Sequence, residues 1–234
     1  FDTVSDANYH NEKIASHVHY EITLFARLLT ERKIKLSIEI KTWIQEVCNH
    51  LINAPAYQRT HEAGDLTTRW GAYSPDARSI AVEILVMLLY RDKTTDISDT
   101  LRNLMSDNTQ HIRHKALCTL NYFWGRHRDA FWEILKERVP VERDGLCLQA
   151  LIKSVNYRDI IAAYPAEVEH IIVQFRSIVS TKDIAGEIVG SYANLLIVLY
   201  LFHHNSTAKH IIEECSTSKT FSRQLLILLM PMIN

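Results

Sequence analysis

The chain is 234 residues long, carries 26 Lys and Arg against 27 Asp and Glu for a net charge of −1, and is 47% hydrophobic. That balance excludes a low-complexity or collagen-like chain, and it argues against a dedicated nucleic-acid binder, which needs a basic face to neutralise phosphate. Uninterrupted apolar runs stop well short of the ~18 residues that span a bilayer, and the 6 glycines and 5 prolines fall below the usage of turn-rich β and α/β folds, roughly 7% and 5% on average.

Apolar residues recur at three- and four-residue steps through Ile14, Val18, Ile22, Phe25, Leu28 and Leu29, and again through Ile34, Ile38, Ile40, Ile44, Val47 and Leu51. Both patterns predict amphipathic helices in an N-terminal segment, 1–54. Residues 55–74 hold Gly64, Gly71 and little periodicity, so a long loop is expected there. Ser74, Pro75 and Asp76 then form a helix start: an N-cap, a first-turn proline and an acid facing the positive end of the dipole. That helix runs to about 91. Thr94, Thr95 and Asp96 open a shorter one to 105, and Ser106, Asp107 and Asn108 cap another that runs to 124. A turn at 125–128 leads to a helix over 130–139, which Pro140 ends. Further helices are expected over 143–155, 158–163, 166–179, 182–203, 207–215 and 221–232, with Asn205, Ser206 and Thr207 among the polar punctuation. No stretch alternates with a period of two over a convincing length, so the expected fold is all-α. Residues 75–234 are read as an array of helices that continues 1–54 in a single domain, 1–234.

Cys48, Cys118, Cys147 and Cys215 are widely spaced, with no CxxC. They read as buried thiols of a reducing, cytoplasmic compartment rather than as a disulfide framework. The chain begins at Phe1 and closes on an apolar run at 225–230, which leads to the expectation of a fragment of a longer protein, and of self-association through the C-terminal helix.

The segment 77–85 lies over 112–120 at an offset of 35, matching Arg78 to Arg113, Ala81 to Ala116 and Leu85 to Leu120. A weaker copy begins at Arg143, with Leu146, Cys147 and Ala150 inward, and a fourth near Ile184, with Ala193 and Leu196. The run from Asp107 to Leu117 resembles the signature of HEAT and armadillo repeats: an Asp, a β-branched residue followed by Arg, then a small residue where helices pack closely. The resemblance covers about 74–156. It implies a right-handed α-solenoid of stacked antiparallel helix pairs, in which Asp107 and Arg113 take part in ladders between successive repeats and Ala116 sits at a close helix contact. The copy at Arg78 has Ala72 where the Asp should stand, and the copy at Arg143 has its caps displaced.

Among chemistry-bearing residues, His111, His114 and Cys118 share a helix face and are of zinc-ligand type. No fourth ligand is indicated, so Cys118 is expected in the core, the histidines outside it, and no metal. The group Tyr122, Phe123, Trp124, Phe131 and Trp132 straddles one turn beside Arg126, His127 and Arg128. Aromatic and Arg residues anchor protein interfaces. Tyr122, Trp124, Arg126, Arg128 and Trp132 are therefore candidate binding residues, with most of the ring area expected to fill space between helices. In the loop, Arg69, Trp70 and Tyr73 are a second candidate set. No GxGxxG, P-loop, HExxH or GxSxG is present, and no catalytic residue and no cofactor are assigned.

The functional expectation is a non-catalytic scaffold or sensor region that binds a protein or other domains of its own chain, as in large multidomain proteins of defence or signalling type, with no membrane and no nucleic acid as partner. The alternative drawn from resemblance is a HEAT-like alkylpurine DNA glycosylase, a class with Trp residues and an Asp in a basic cleft. Trp43, Trp70, Trp124 and Trp132, with Asp129 or Asp144, would supply the parts, and the net charge of −1 speaks against it.

Overall fold

A computed structural model describes residues 24–30, 35–53, 77–91, 98–125, 127–179 and 186–233, and among them the chain is helical with no strand. The all-α expectation holds. The loop expected at 55–74 and the helix starts at 74–76 and 94–96 lie outside the described residues. The chain divides into two compact units, Phe1–Thr119 and Leu120–Asn234.

The first unit contains a helical stretch at 24–30, then α1 (Ile38–Asn53), α2 (Ala77–Arg91), α3 (Ser98–Met105) and α4 (Gln110–Cys118). Ser37 caps α1, its hydroxyl accepting from Ile40 N at 3.4 Å, and a hydrogen bond with Ser37 holds the Glu39 carboxyl below its usual range. α1 buries Ile44, Cys48 and Leu51, about one turn apart, and packs on α2. α2 buries Ile80, Ala81, Val82, Ile84, Leu85, Val86, Leu88 and Leu89, which lie all round its axis, as befits a helix with neighbours on several sides. It contacts both α1 and α4, and α3 also lies against α4.

The single helix expected from 109 to 124 is two pieces. α4 stops at Cys118, and α5 (Asn121–Trp124) restarts after a turn. The backbone N–H and the hydroxyl of Thr119 both donate to Ala116 O, at 3.0 and 2.6 Å, which tightens the last turn and ends the regular ladder.

The second unit holds α5, α6 (Arg128–Arg138), α7 (Gly145–Val155), α8 (Arg158–Ala163), α9 (Pro165–Val179), α10 (Gly186–His203), α11 (Ser206–Cys215) and α12 (Lys219–Ile233). Two rows of neighbours emerge: α7, α10 and α12 in one, α6, α9 and α11 in the other, with α10 touching both α9 and α11. At Gly145 an added Cβ would sit 3.0 Å from Ile188 Cδ1, so the missing side chain lets α7 approach α10. Tyr192 is buried in α10, and its hydroxyl donates to Ile172 O of α9 at 2.6 Å. α10 spans 18 residues and by length and composition alone is apolar enough to cross a membrane, although Glu187, Ser191 and Asn194 interrupt its apolar residues. Its buried residues, Ile188, Val189, Tyr192, Ala193, Leu195, Leu196, Ile197 and Leu199, are those of a helix enclosed by its neighbours.

Core residues recur with the 35-residue offset, now over three copies. Ala81, Ala116 and Leu151 form one such set, Val82, Leu117 and Ile152 a second, and Leu85, Leu120 and Val155 a third. All nine are 0% exposed. The set at 151–155 is thus buried in step with the first two, an alignment that differs from the copy expected at Arg143, whose Leu146 is only half-buried.

Candidate functional site

The structural residues of the expected repeat meet at the start of α4. Asp107 Oδ1 accepts from Thr109 N at 2.7 Å, and Oδ2 from Arg78 Nη2 at 2.5 Å. Arg78 and Arg113 occupy matching positions 35 residues apart, so Asp107 reaches back to the Arg of the preceding copy. Arg113 Nη1 meets Asp107 through its backbone carbonyl at 2.7 Å. Ala116, fully buried, sits one turn further along α4.

Glu142 stands 35 residues after Asp107, in front of α7. Its Oε1 accepts from the backbone N–H groups of Arg143 and Asp144, both at 3.0 Å, and its Oε2 from Arg138 Nη2 at 2.8 Å. Asp144 then caps α7, accepting from Cys147 N at 3.0 Å. Glu142 is only 3% exposed, so its carboxylate is buried together with these donors. The sequence reading missed it, although the 35-residue step from Asp107 points straight to it.

The aromatic group lies at the turn between α5 and α6. Trp124 is half-buried, with ring centroids 5.6 Å from Phe131, 6.1 Å from Trp132 and 5.1 Å from Tyr164, all edge-on. The Arg128 guanidinium carbon lies 5.0 Å from the Trp124 ring centre, within cation–π reach. Phe123 and Phe131 are fully buried, as expected of rings that fill space between helices. Trp132 is 6% exposed, so it supports Trp124 from behind and offers no contact surface of its own. Tyr122 is 45% exposed. Next to it in sequence, Asn121 donates through Nδ2 to the hydroxyl of Tyr157, 3.2 Å away and likewise exposed. The structure thus gathers Trp124, Arg128 and Trp132 and adds Tyr164, while Tyr157 meets Asn121; the sequence reading singled out neither tyrosine. The Asn-Tyr pair at 156–157 repeats the one at 121–122 with the same 35-residue step, a signal that was available. Arg126, and Arg69, Trp70 and Tyr73 of the loop set, lie outside the described residues.

His111 and His114 are half-buried and Cys118 is exposed, which corrects the expectation of a core thiol. Cys118 lies on the helix face of His111 and His114, whereas the residues α4 buries are Ile112, Ala116 and Leu117. His114 Nε2 lies 3.3 Å from Cys118 Sγ. Cys48 and Cys147 are buried as expected, Cys215 is partly exposed, and none of the four forms a disulfide. Burial pushes the Cys48 thiol up to about 12 and raises Cys215 as well. Among the described residues, no group of three or more His, Cys, Asp or Glu side chains is placed to hold a metal ion.

No family model, no curated protein and no solved structure matches this chain.

Proposed function

We propose that this chain is a non-catalytic helical-repeat region of the HEAT or armadillo kind, a right-handed α-solenoid that works as a scaffold or sensor inside the cell. Its partner is a protein or another domain of the parent chain. The repeat reading is supported by the three-copy core register and by the paired carboxylates Asp107 and Glu142. A helical pair cannot bury its own apolar stripe, and stacking like pairs makes a continuous core.

One observation carries the binding reading: at the α5–α6 turn Trp124 is braced by buried Phe131 and Trp132 and faced by Arg128, with Tyr122 exposed close by in sequence. Rigid rings supported from behind and a neighbouring guanidinium lose little entropy on docking, which is what makes such residues interface anchors. Exposed Leu226, Ile227 and Met230 of α12 support self-association as a secondary mode.

The test uses the full chain as bait, with nuclease-treated lysate at two salt concentrations. A protein retained by the parent chain and lost from a Tyr122→Ala, Arg128→Ala double variant of equal melting temperature fits the proposal. Retention that the double variant leaves unchanged removes this edge as the site. Retention of nucleic acid that weakens steeply with salt replaces the reading with the DNA-binding one.

A further inference from the structure

α12 has two apolar faces, and the fold uses one of them. Residues three and four apart share a helix face, so Phe221, Gln224, Leu225 and Leu228 form one stripe. That stripe is turned to α10: Phe221 is buried, Leu225 and Leu228 are half-buried, and Gln224 lies against Gly186 and Gly190. Arg223, Leu226, Ile227 and Met230 form a second stripe on the opposite side. All four are exposed, Leu226 at 65%, Ile227 at 51% and Met230 at 63%. A helix that is apolar on both sides is a helix covered on both sides. Pro231 adds an independent observation. It has no N–H, so the carbonyl of Ile227, one turn back on the exposed stripe, lacks the donor that any other residue at 231 would supply.

We propose that a second copy of this chain covers the outer face, through antiparallel pairing of α12 with α12. The inference rests on the secondary mode of the proposed function and not on the α5–α6 edge. The stripe is its own complement when reversed. A two-fold axis between positions 226 and 227 sets Leu226 of each copy across from Ile227 of the other, and Arg223 across from Met230. Charge selects the orientation. α12 carries Lys219 and Arg223 at its start and no acid, so parallel helices would set like charges side by side with their dipoles aligned. Reversal instead carries each Arg223 to the carbonyl end of the partner's α12, which a cation favours. There the guanidinium comes to the turn that ends in Pro231 and supplies the Ile227 carbonyl with the donor it lacks. The covered apolar side chains are few, so the interface is small and association falls in the micromolar range.

The experiment is sedimentation equilibrium of the purified chain from about 1 to about 500 µM, over which the mass should rise from monomer to dimer. Leu226→Lys places a charge at the centre of the seam once per copy and should weaken dimerisation at least about a hundredfold. Its melting temperature below the dimerisation range should match the parent chain's, because Leu226 is exposed. Orientation is read by mixing Arg223→Cys chains with Met230→Cys chains under mild oxidation and mapping the cross-links. Links between the two variants should dominate over links within either. The Tyr122→Ala, Arg128→Ala variant should dimerise as the parent chain does, so the loss of that edge as a binding site leaves this result intact. A monomer throughout overturns the proposal and leaves the face to another chain. A dimer that folded Leu226→Lys leaves in place overturns it too, and so do cross-links formed mainly within one variant. Should Leu226→Lys not fold, the cross-link pattern decides.

Discussion

Asp107 and Glu142 stand 35 residues apart, each in front of a helix, and are put to two uses. Asp107 is partly exposed and spends one oxygen on the next turn of its own segment and the other on Arg78, a helix away. Glu142 is nearly sealed and turns its oxygens to local donors, the N–H groups of Arg143 and Asp144 and the guanidinium of Arg138. Both satisfy backbone N–H groups that a helix start leaves over. The difference teaches that a carboxylate in front of a helix can draw its cation from another helix, as from Arg78, or from the turn just before it, as from Arg138. Deep burial also raises the stakes, since a carboxylate cut off from water has only the protein to solvate it.

The largest expected effect lies in the core of the first unit, at Ala116 of α4. Ala116→Asp places a carboxylate at a fully buried position between packed helices and should cost about 4 kcal/mol or more, enough to abolish cooperative melting. A folded variant with a transition near that of the parent chain would show that Ala116 has room. Next comes the sealed carboxylate. Glu142→Ala leaves the half-buried Arg138 without this partner and removes the acceptor of two backbone N–H groups, for about 2–4 kcal/mol in denaturant unfolding. The more exposed junction should be weaker. A double-mutant cycle on Arg78 and Asp107 should give a coupling of about 1–2 kcal/mol, and zero coupling would reduce the contact to a surface ion pair.

How much of this was legible in the sequence follows from what each signal depends on. The helices at 158–163 and 206–215 were readable almost to the residue, because Pro, Asn and Ser punctuate them locally. The two-copy repeat at Arg78 and Arg113 was readable because identical residues mark it. The third copy expected at Arg143 puts Leu146 inward, whereas the buried Leu151, Ile152 and Val155 follow the 35-residue step, in which Leu148 stands opposite Arg113. The break at Thr119 went unread because a threonine mid-pattern fits a helix by periodicity, and its hydroxyl bond to Ala116 O is a choice of rotamer. At the candidate edge, the sequence marked Trp124, Arg128 and Trp132 as one group. It could not say that Trp132 faces inward, nor that Tyr164 joins from the far side of two intervening helices.

A third polar junction extends the comparison to pH. Glu169 of α9 accepts from Thr207 Oγ1 at 2.6 Å and from Asn205 Nδ2 at 2.8 Å, so it fixes the residue that caps α11. Those hydrogen bonds, the Thr207 one first, hold its carboxyl below the usual range. A depressed folded value means that the stabilisation is fully present above the unfolded carboxyl's ~4.3 and is lost as pH falls through the folded value. Melting temperatures of the parent chain and Glu169→Gln should therefore differ most at neutral pH and converge in acid. A gap that stays constant with pH would show that shape, not charge, does the holding.

The smallest effect, and the one of opposite sign, sits in the same turn. His204 has φ of +52°, the one non-glycine residue with positive φ among those described, and it lies between the end of α10 and the Asn205 cap of α11. A left-handed conformation at a helix C-terminus is what glycine adopts without steric cost, while a Cβ there crowds the carbonyl. Asn205 N–H donates back to Leu199 O at 3.1 Å, and its side chain caps α11 at Ala208 N, 2.7 Å away. The chain is thus pinned on the far side of His204 and cannot relax that residue without giving up a cap. His204→Gly relieves the strain but also frees the unfolded chain, and the two effects oppose each other. The balance should be a gain of about 0.5–1 kcal/mol, whereas His204→Val, β-branched and worse suited to positive φ, should lose at least as much. Equal stability of the Gly and Val variants would mean that the Glu169 and Asn205 contacts do not hold this turn in place, and would separate it from the two carboxylate junctions.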